Sequence, residues 1–314
     1  HTYAGFSGAL VVMGLTSGLV GRLIDRHGGR RVMALGAILI AAGCLGLSLA
    51  RDLVSYIAAW LCLGLAMRMT LYEAAFATLV RIGGARARRA ISQITLLGGL
   101  ASTVFWPVGH LLSGWLGWRG ALVVYAGFAL LTVPLYWSIP DHRHDPAAED
   151  GEAAAAPVPL SRGEHIVAAG LYLVLFTTVN FLSSGLSAHM IGIMAGLGMG
   201  AGLAVWVATL RGIGQTGARL CEIAFGAGLS PLALGALATG VLPLGFVVGL
   251  GSGVTIWAGA AFALAYGAGN GLLTIARGTQ PLVLFDHRTY GALVGKLTAP
   301  GFFAGTAGSM PMKR

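Results

Sequence analysis

Charged residues are scarce in this chain of 314 residues. Asp, Glu, Lys and Arg together make up 10% of it, and only 11 residues are acidic. Soluble globular proteins contain roughly 25% charged residues. A chain with so few charges cannot cover a water-exposed surface with polar groups, which excludes an ordinary soluble globular protein.

Cysteine is also rare. Cys44, Cys62 and Cys221 lie one each in three separated apolar stretches, without a CxxC pair or a histidine at metal-ligand spacing. This pattern excludes a disulfide framework and a zinc site, and we expect neither a metal nor a cofactor. The first residues, which begin with His1, lack the basic segment and short apolar core of a signal peptide.

Apolar residues and glycine are abundant. Hydrophobic residues make up 56% of the chain, the mean hydropathy is +0.79, and 50 residues are glycine. Glycine weakens helices in water but lets helices approach each other closely in lipid. The composition therefore predicts an all-α, polytopic membrane protein. A formal charge of +9 would indicate nucleic-acid binding in a soluble protein, so the positions of the basic residues decide its meaning.

Nine apolar stretches are long enough to cross a bilayer, because a helix needs about 20 residues to span about 30 Å of hydrocarbon. A tenth stretch begins near Tyr290 and becomes polar and glycine-rich, so we expect only the start of a helix there. The nine predicted spans are residues 3–24, 32–50, 53–80, 91–116, 118–139, 165–186, 199–220, 231–250 and 253–276.

The basic residues are concentrated in alternate loops between these spans. The opposite loops hold only Arg51 and Arg119. Short basic loops stay cytoplasmic, so the positive charge is an orientation signal in a multi-pass protein of the plasma (inner) membrane, with the lipid bilayer and no nucleic acid as its partner. The loops predicted to be cytoplasmic are 22–31, 81–90, 140–164, 219–230 and 277–289.

Residues 140–164 differ from all other loops. They contain six of the 11 acidic residues and an Ala/Pro-rich stretch over 153–159. Such a segment cannot bury a core and is typical of a solvated linker. It divides the chain into a first part of five spans, residues 1–139, and a second part, residues 165–314.

The loop after the first span carries a recognisable motif. It reads Gly-Arg-Leu-Ile-Asp-Arg-His-Gly-Gly-Arg-Arg over residues 21–31. Asp25 is suited to cap a helix N-terminus, and the arginines hold the loop at the anionic inner leaflet. The stretch resembles the G-x-L-x-D-R-x-G-R-[KR] signature of the major facilitator superfamily, with Gly29 where the family usually has a basic residue. By this resemblance the conformational signature residues are Gly21, Asp25, Arg26, Gly28, Arg30 and Arg31.

Residues 88–98 and the run from Gly98 to Arg119 are similar to the monocarboxylate-porter branch of that superfamily. The resemblance implies two pseudo-symmetric helix bundles, with residues 1–139 as family helices two to six and residues 165–314 as helices seven to ten and part of eleven. We therefore expect a fragment that lacks helix one, most of helix eleven and helix twelve. The resemblance also implies a secondary transporter, a symporter or antiporter that works by alternating access.

Three charged residues lie well inside predicted spans and away from the span ends: Arg68, Glu73 and Arg211. Intramembrane charges are costly and are by default functional candidates. In the superfamily the substrate site lies between the two halves, so a guanidinium from each half predicts an anionic substrate. The alternative is a structural role, in which each arginine snorkels to the membrane surface or pairs with a carbonyl of a neighbouring helix. Glu73 is the one intramembrane carboxylate and is predicted to carry a coupling proton, or else to pair with a basic group at a helix end.

Other polar residues are weaker substrate-binding candidates. Tyr72 lies one turn from Arg68, and Asn180, Gln215 and Asn270 lie within later spans. Each of these amides also suits an ordinary interhelical hydrogen bond. No constellation for an enzyme, a haem site or a phosphate loop is complete.

These observations predict a transporter of a small organic anion such as a monocarboxylate, and not an enzyme. The alternative is a truncated or non-transporting membrane protein of the same fold, receptor-like or degenerate.

Overall fold

The chain folds into α-helices, and no strand occurs in residues 2–144, 160–196 and 198–308, which are the residues that the computed structural model describes. This confirms the all-α prediction. The helices are α1 (Thr2–His27), α2 (Gly29–Leu49), α3 (Leu53–Thr70), α4 (Tyr72–Gly83), α5 (Ala87–Trp137), α6 (Arg162–Gly196), α7 (Ala201–Phe225), α8 (Pro231–Gly249), α9 (Ile256–Leu284) and α10 (Tyr290–Gly308). Seven helical stretches of the described residues are long and apolar enough to cross a membrane.

Two backbone breaks divide long helical stretches. Within α5, Gly117 has φ 67° and ψ 169°, a conformation that favours glycine, so the predicted boundary between the fourth and fifth spans is confirmed. Leu71, with ψ −172°, separates α3 from α4. The predicted third span, 53–80, is therefore wrong as a single helix. Residues 69–73 contain neither glycine nor proline, so the sequence gives no local signal for this second break.

Several predicted boundaries are also wrong. Helix α7 continues to Phe225 and α9 to Leu284, so Arg219 and Arg277 lie inside helices and not in the predicted loops 219–230 and 277–289. Hydropathy ends a span at its first charge, whereas arginine is a good helix former. The tenth stretch is a helix of 19 residues, about 28 Å long, and not merely the start of one.

The linker is described only at its two ends, and residues 145–159 lie outside the described part. Its first residues pack against the basic loops, where the His144 amide donates to the Arg81 carbonyl at 2.8 Å. Arg143 donates to the Arg288 carbonyl at 2.9 Å. Helix α6 begins at Arg162, slightly before the predicted end of the linker at Glu164.

Helices of the same half pack mainly with one another. In the first half α2 packs against α3 and α5, and in the second α9 packs against α7 and α8. The halves meet where α1 lies along α10 and where α5 lies along α7. The contact between α1 and α10 is the more extensive of the two.

Glycines bring α7 and α9 into backbone contact. A Cβ at Gly267 would collide with the Arg211 carbonyl, and one at Gly214 would collide with the Leu264 carbonyl. A Cβ at Gly271 would meet the Gln215 backbone oxygen at 2.7 Å. Small residues at helix contacts increase packing in a bilayer, where apolar burial from water is not available as a driving force.

We predict that Gly267→Leu destabilises the folded protein by roughly 1–3 kcal/mol, because the new side chain forces α7 and α9 apart. Gly240→Leu in α8 is the control, since a Cβ there has no described neighbour within 4 Å. Thermal unfolding of both variants in detergent checks this. Equal melting temperatures for the two variants would show that the α7/α9 contact tolerates bulk.

Candidate functional site

Polar contacts between the halves concentrate at one face of the bundle, where α1 ends and α10 begins. We call it the basic face, because the arginine-rich loops lie there. Asp25 on α1 accepts hydrogen bonds from the amides of Gly291 at 3.0 Å and Ala292 at 2.7 Å. These are free amides of the first turn of α10, which a carboxylate satisfies and whose helix dipole it complements. Asp25 thus caps a helix of the other half.

The other signature residues lie at or near the same face, and Gly21 lies in this contact. Gly21 allows the approach, because a Cβ there would collide with the Gly291 carbonyl oxygen. Gly28 adopts φ 82° between α1 and α2. Arg30 lies over the Trp137 ring at 4.5 Å, Arg31 reaches Asp141 at 4.0 Å, and Arg26 is exposed. Arg81 donates to the Asp25 carbonyl, which fixes the end of α1.

A related arrangement joins α7 to α5 at the same face. Glu222 pairs with Arg88 at 3.7 Å, and Arg88 donates to the Gly226 carbonyl at 3.1 Å. Residues 218–222 read Ala-Arg-Leu-Cys-Glu, parallel to Gly-Arg-Leu-Ile-Asp over 21–25. Sequence reasoning missed this internal repeat, although the spacing of an arginine three residues before an acidic residue could have revealed it.

Arg219, the arginine of this repeat, is 1% exposed and bonds the other half in the interior of the bundle. Its Nη1 donates to the Thr95 carbonyl of α5 at 2.7 Å. The Tyr72 hydroxyl donates to the same Thr95 carbonyl at 3.4 Å. Tyr72, expected beside Arg68, instead faces α5 and α7, because the break at Leu71 removes the continuous helix on which that expectation depended.

Arg68 lies at the point where α3 meets α1 and α10. Its side chain is buried, with 2% of the residue exposed. Nε donates to Ser17 Oγ at 2.8 Å and Nη2 to the Ser17 carbonyl at 3.3 Å. Nη1 is buried and has no hydrogen-bond partner among the described residues. One donor of this guanidinium is therefore available in the interior.

Glu73 on α4 pairs with Arg277 on α9 across the interface between the halves. Arg277 Nη1 lies 3.3 Å from Glu73 Oε1, and Arg277 Nη2 donates to Asn180 Oδ1 at 2.7 Å. The Tyr172 hydroxyl donates to the Arg277 carbonyl at 2.8 Å. Glu73 follows Arg68 across the break at Leu71. Five residues thus form what we call the central cluster: Ser17, Arg68, Glu73, Asn180 and Arg277.

The break at Leu71 explains why two charges on one predicted span fit here. Arg68 occupies the last turn of α3, where the helix dipole favours a cation. Glu73 occupies the first turn of α4, where it favours an anion. Interrupted helices that present their ends at mid-membrane are a recurring way to build substrate and ion sites in transporters.

The remaining predicted residues lie apart from the central cluster. Arg211 donates to Ser187 Oγ at 2.9 Å and does not contact Arg68. Asn270 accepts from Ser183 Oγ at 2.9 Å. Gln215 lines a cavity of about 440 Å³ beside α5 and α7, together with Gly99, Thr209 and Thr216. Arg211 and Asn270 thus bond within the second half, whereas the cluster is shared by both halves.

Two bundles of membrane helices that meet around a buried cluster of charges are an arrangement typical of polytopic transport proteins. The chain belongs to the Major Facilitator Superfamily, whose family model matches residues 2–309. This confirms the superfamily resemblance, while the monocarboxylate-porter branch stays a prediction. No curated protein sequence matches the chain significantly.

Solved transporters share the fold. The human organic anion transporter MFSD10 (TETRAN) superposes with a TM-score of 0.72 at 18% identity, covering 98% of this chain and 76% of that chain. The E. coli fucose:proton symporter FucP superposes with a TM-score of 0.69 at 13% identity, covering 99% of this chain and 83% of that chain. The proton:xylose symporter XylE superposes with a TM-score of 0.65 at 15% identity, covering 98% of this chain and 78% of that chain.

We predict that Asp25→Asn opens the basic face, because it removes the charge and one of two acceptors at the N-terminus of α10. A lost cap costs about 1 kcal/mol, which shifts the ratio of closed to open molecules roughly fivefold. Pulsed electron resonance between spin labels at His27 and Leu229, in a background without native cysteines, measures the distance across this face.

Asp52→Asn is the matched control, because Asp52 caps α3 within its own half through the Ser55 amide at 2.9 Å. We expect that variant to keep the parental distance distribution. If Asp25→Asn gives the same distance distribution as the parent, Asp25 does not contribute to holding the halves together.

Proposed function

We propose that the protein is a secondary transporter of a small organic anion, such as a monocarboxylate, that works by alternating access. The central cluster carries this proposal. It contains two guanidiniums and one carboxylate, buried where both halves contribute side chains. An alternating-access site must be contacted from both halves, and this cluster meets that condition.

The charge balance of the cluster favours an anion. Arg68 and Arg277 together exceed the single negative charge of Glu73, and a buried unpaired cation in a membrane is unfavourable without a partner. Arg68 Nη1 and Arg277 Nε are buried donors without a described partner, so they are suited to a ligand that accepts hydrogen bonds. This substrate class agrees with that of the structural neighbour MFSD10, an organic anion transporter.

We assign the substrate contacts as follows. Arg68, Arg277 and Asn180 bind the anionic group, and Glu73 carries the coupling proton. Proton coupling is supported by the two structural neighbours that are proton symporters of small molecules. Tyr72, Arg211, Gln215 and Asn270 stay predicted contacts for the remainder of the substrate, since all four lie on helices that border the interface or the cavity beside α7.

The arrangement of contacts supports a state that is closed at the basic face. Asp25, Glu222, Arg219 and Glu73 each contact the other half between that face and the middle of the helices. We propose that the basic face is cytoplasmic, as the arginine-rich loops predict, and that this state admits substrate from the outside.

The substrate class is tested by uptake of radiolabelled propionate, lactate and benzoate into proteoliposomes. Arg68→Lys keeps the charge but loses the planar fork, so we expect an affinity for the transported anion that is about 10- to 100-fold lower. Arg119→Lys is the control, because Arg119 donates to the carbonyls of Ser48 and Ala50 at the opposite face. Unaltered affinity in Arg68→Lys would contradict the assigned site, and equal loss in both variants would indicate a general structural effect.

Sidedness is tested by single-cysteine labelling in intact cells with a membrane-impermeant maleimide. Thr289→Cys lies at the basic face and Val54→Cys at the opposite face, and both positions are exposed. With Cys44, Cys62 and Cys221 replaced by serine, we expect labelling of Val54→Cys alone. Labelling of Thr289→Cys instead would invert the proposed orientation.

A further inference from the structure

The face of the bundle opposite the basic face carries very little charge. Among the described residues, the Asp, Glu, Lys and Arg side chains at this face are Arg51 and Asp52, on the turn between α2 and α3, and Arg119, just after the break in α5. All three line one open cavity of about 470 Å³, together with Tyr56 and Trp118. The charge of this face is therefore concentrated in a single site.

Arg119 has a structural role in this cavity. Its Nε donates to the Ser48 carbonyl at 3.0 Å and its Nη2 to the Ala50 carbonyl at 2.8 Å. Its guanidinium lies over the Trp118 ring at 4.2 Å. These bonds satisfy carbonyls at the end of α2, so Arg119 holds the start of the second part of α5 against the turn that carries Arg51.

Arg51 has no such structural role. It is exposed and has no hydrogen-bond or ion-pair partner among the described residues. The neighbouring carboxylate of Asp52 is occupied by α3, because it accepts from the Ser55 amide at 2.9 Å and from the Ser55 hydroxyl at 3.0 Å. Arginine is uncommon in short loops on the non-cytoplasmic side, where the proposed orientation places this turn. The guanidinium of Arg51 is thus a free donor whose position needs a local reason.

The cavity lies at the level of the lipid headgroups. Its turn, residues 50–52, separates the membrane-crossing stretches Gly29–Leu49 and Leu53–Ala101. Close to it along the chain, Leu49, Val54 and Trp115 are 75%, 78% and 77% exposed, which suits them to contact with acyl chains. Tryptophan and tyrosine are enriched at this level of a membrane. A ligand of this cavity therefore meets apolar chains on one side and guanidiniums on the other.

We propose that this cavity binds the headgroup of an anionic phospholipid, with Arg51 on the phosphodiester and Arg119 contributing its charge. Two guanidiniums and one carboxylate leave one positive charge in excess, which complements the single negative charge of phosphatidylglycerol. A guanidinium also matches two phosphate oxygens at once. Zwitterionic lipids have the same phosphate but no net charge, so they bind more weakly. The site is separate from the central cluster and does not depend on which substrate is transported.

The test measures lipid enrichment beside the cavity in phosphatidylcholine nanodiscs. A bimane fluorophore is attached to Val54→Cys in the full chain with its native cysteines replaced by serine. It is quenched by a small fraction of phosphatidylglycerol, or of phosphatidylcholine, that carries a nitroxide near the top of an acyl chain. We expect about fivefold stronger quenching by phosphatidylglycerol. The same label at Val254→Cys, 91% exposed at the same face and away from the cavity, should give a ratio near one.

Variants of the cavity assign the effect to Arg51. Arg51→Gln should bring the ratio at position 54 close to one, and Arg51→Lys, which keeps the charge, should keep most of the enrichment. Arg162→Gln is the matched control, because it removes an exposed arginine at the basic face, and it should leave the ratio unchanged.

Four results would overturn the proposal. The first is equal quenching by both lipids in the parent chain, and the second is enrichment that survives in Arg51→Gln. Nitroxide-labelled phosphatidylethanolamine that quenches as strongly as phosphatidylglycerol contradicts selection by net charge. Loss of the enrichment on addition of millimolar inorganic phosphate identifies a site for a soluble anion in place of a lipid.

Discussion

A guanidinium buried in a membrane protein must find partners within the protein, and this constraint shapes the interface between the halves. Arg68, Arg219 and Arg277 are held by Ser17, Thr95 and Glu73 respectively. For Arg219 and Arg277 the partner belongs to the other half of the chain. Arg219 and Arg277 therefore favour one particular arrangement of the two bundles, because separation would take Thr95 and Glu73 away from these two charges.

Close backbone approach makes these polar contacts geometrically possible. Gly21 and Gly295 on α1 and α10 leave no side chain between the two helices, so Asp25 can reach the amides of α10 and Arg68 can reach Ser17. Larger residues would widen the gap by several ångström, and hydrogen bonds of about 3 Å would not form. Two of the many glycines of the chain are thus required for close helix packing at this interface.

The architecture could be read from the sequence to a large extent, because hydropathy and the 21–31 motif are local properties. The apolar stretches predict a boundary at Gly117, and the residue type of Asp25 predicts a cap. The break at Leu71 is not predicted, because no glycine or proline marks it and the partners of the residues beside it are distant in sequence. Arg277 was placed in a loop, since hydropathy treats every charge as an end to a span. Its pairing with Glu73, 204 residues away, depends on tertiary contacts that a single sequence does not encode locally.

The backbone contact between α7 and α9 has a mechanical consequence. Gly214, Gly267 and Gly271 bring the backbones of α7 and α9 into contact, so the two helices cannot slide past each other without opening these contacts. Arg219 lies on α7 and Arg277 on α9. A movement of this helix pair as one unit would draw Arg277 away from Glu73 and Arg219 away from Thr95 together. The two contacts between the halves would then open in the same step.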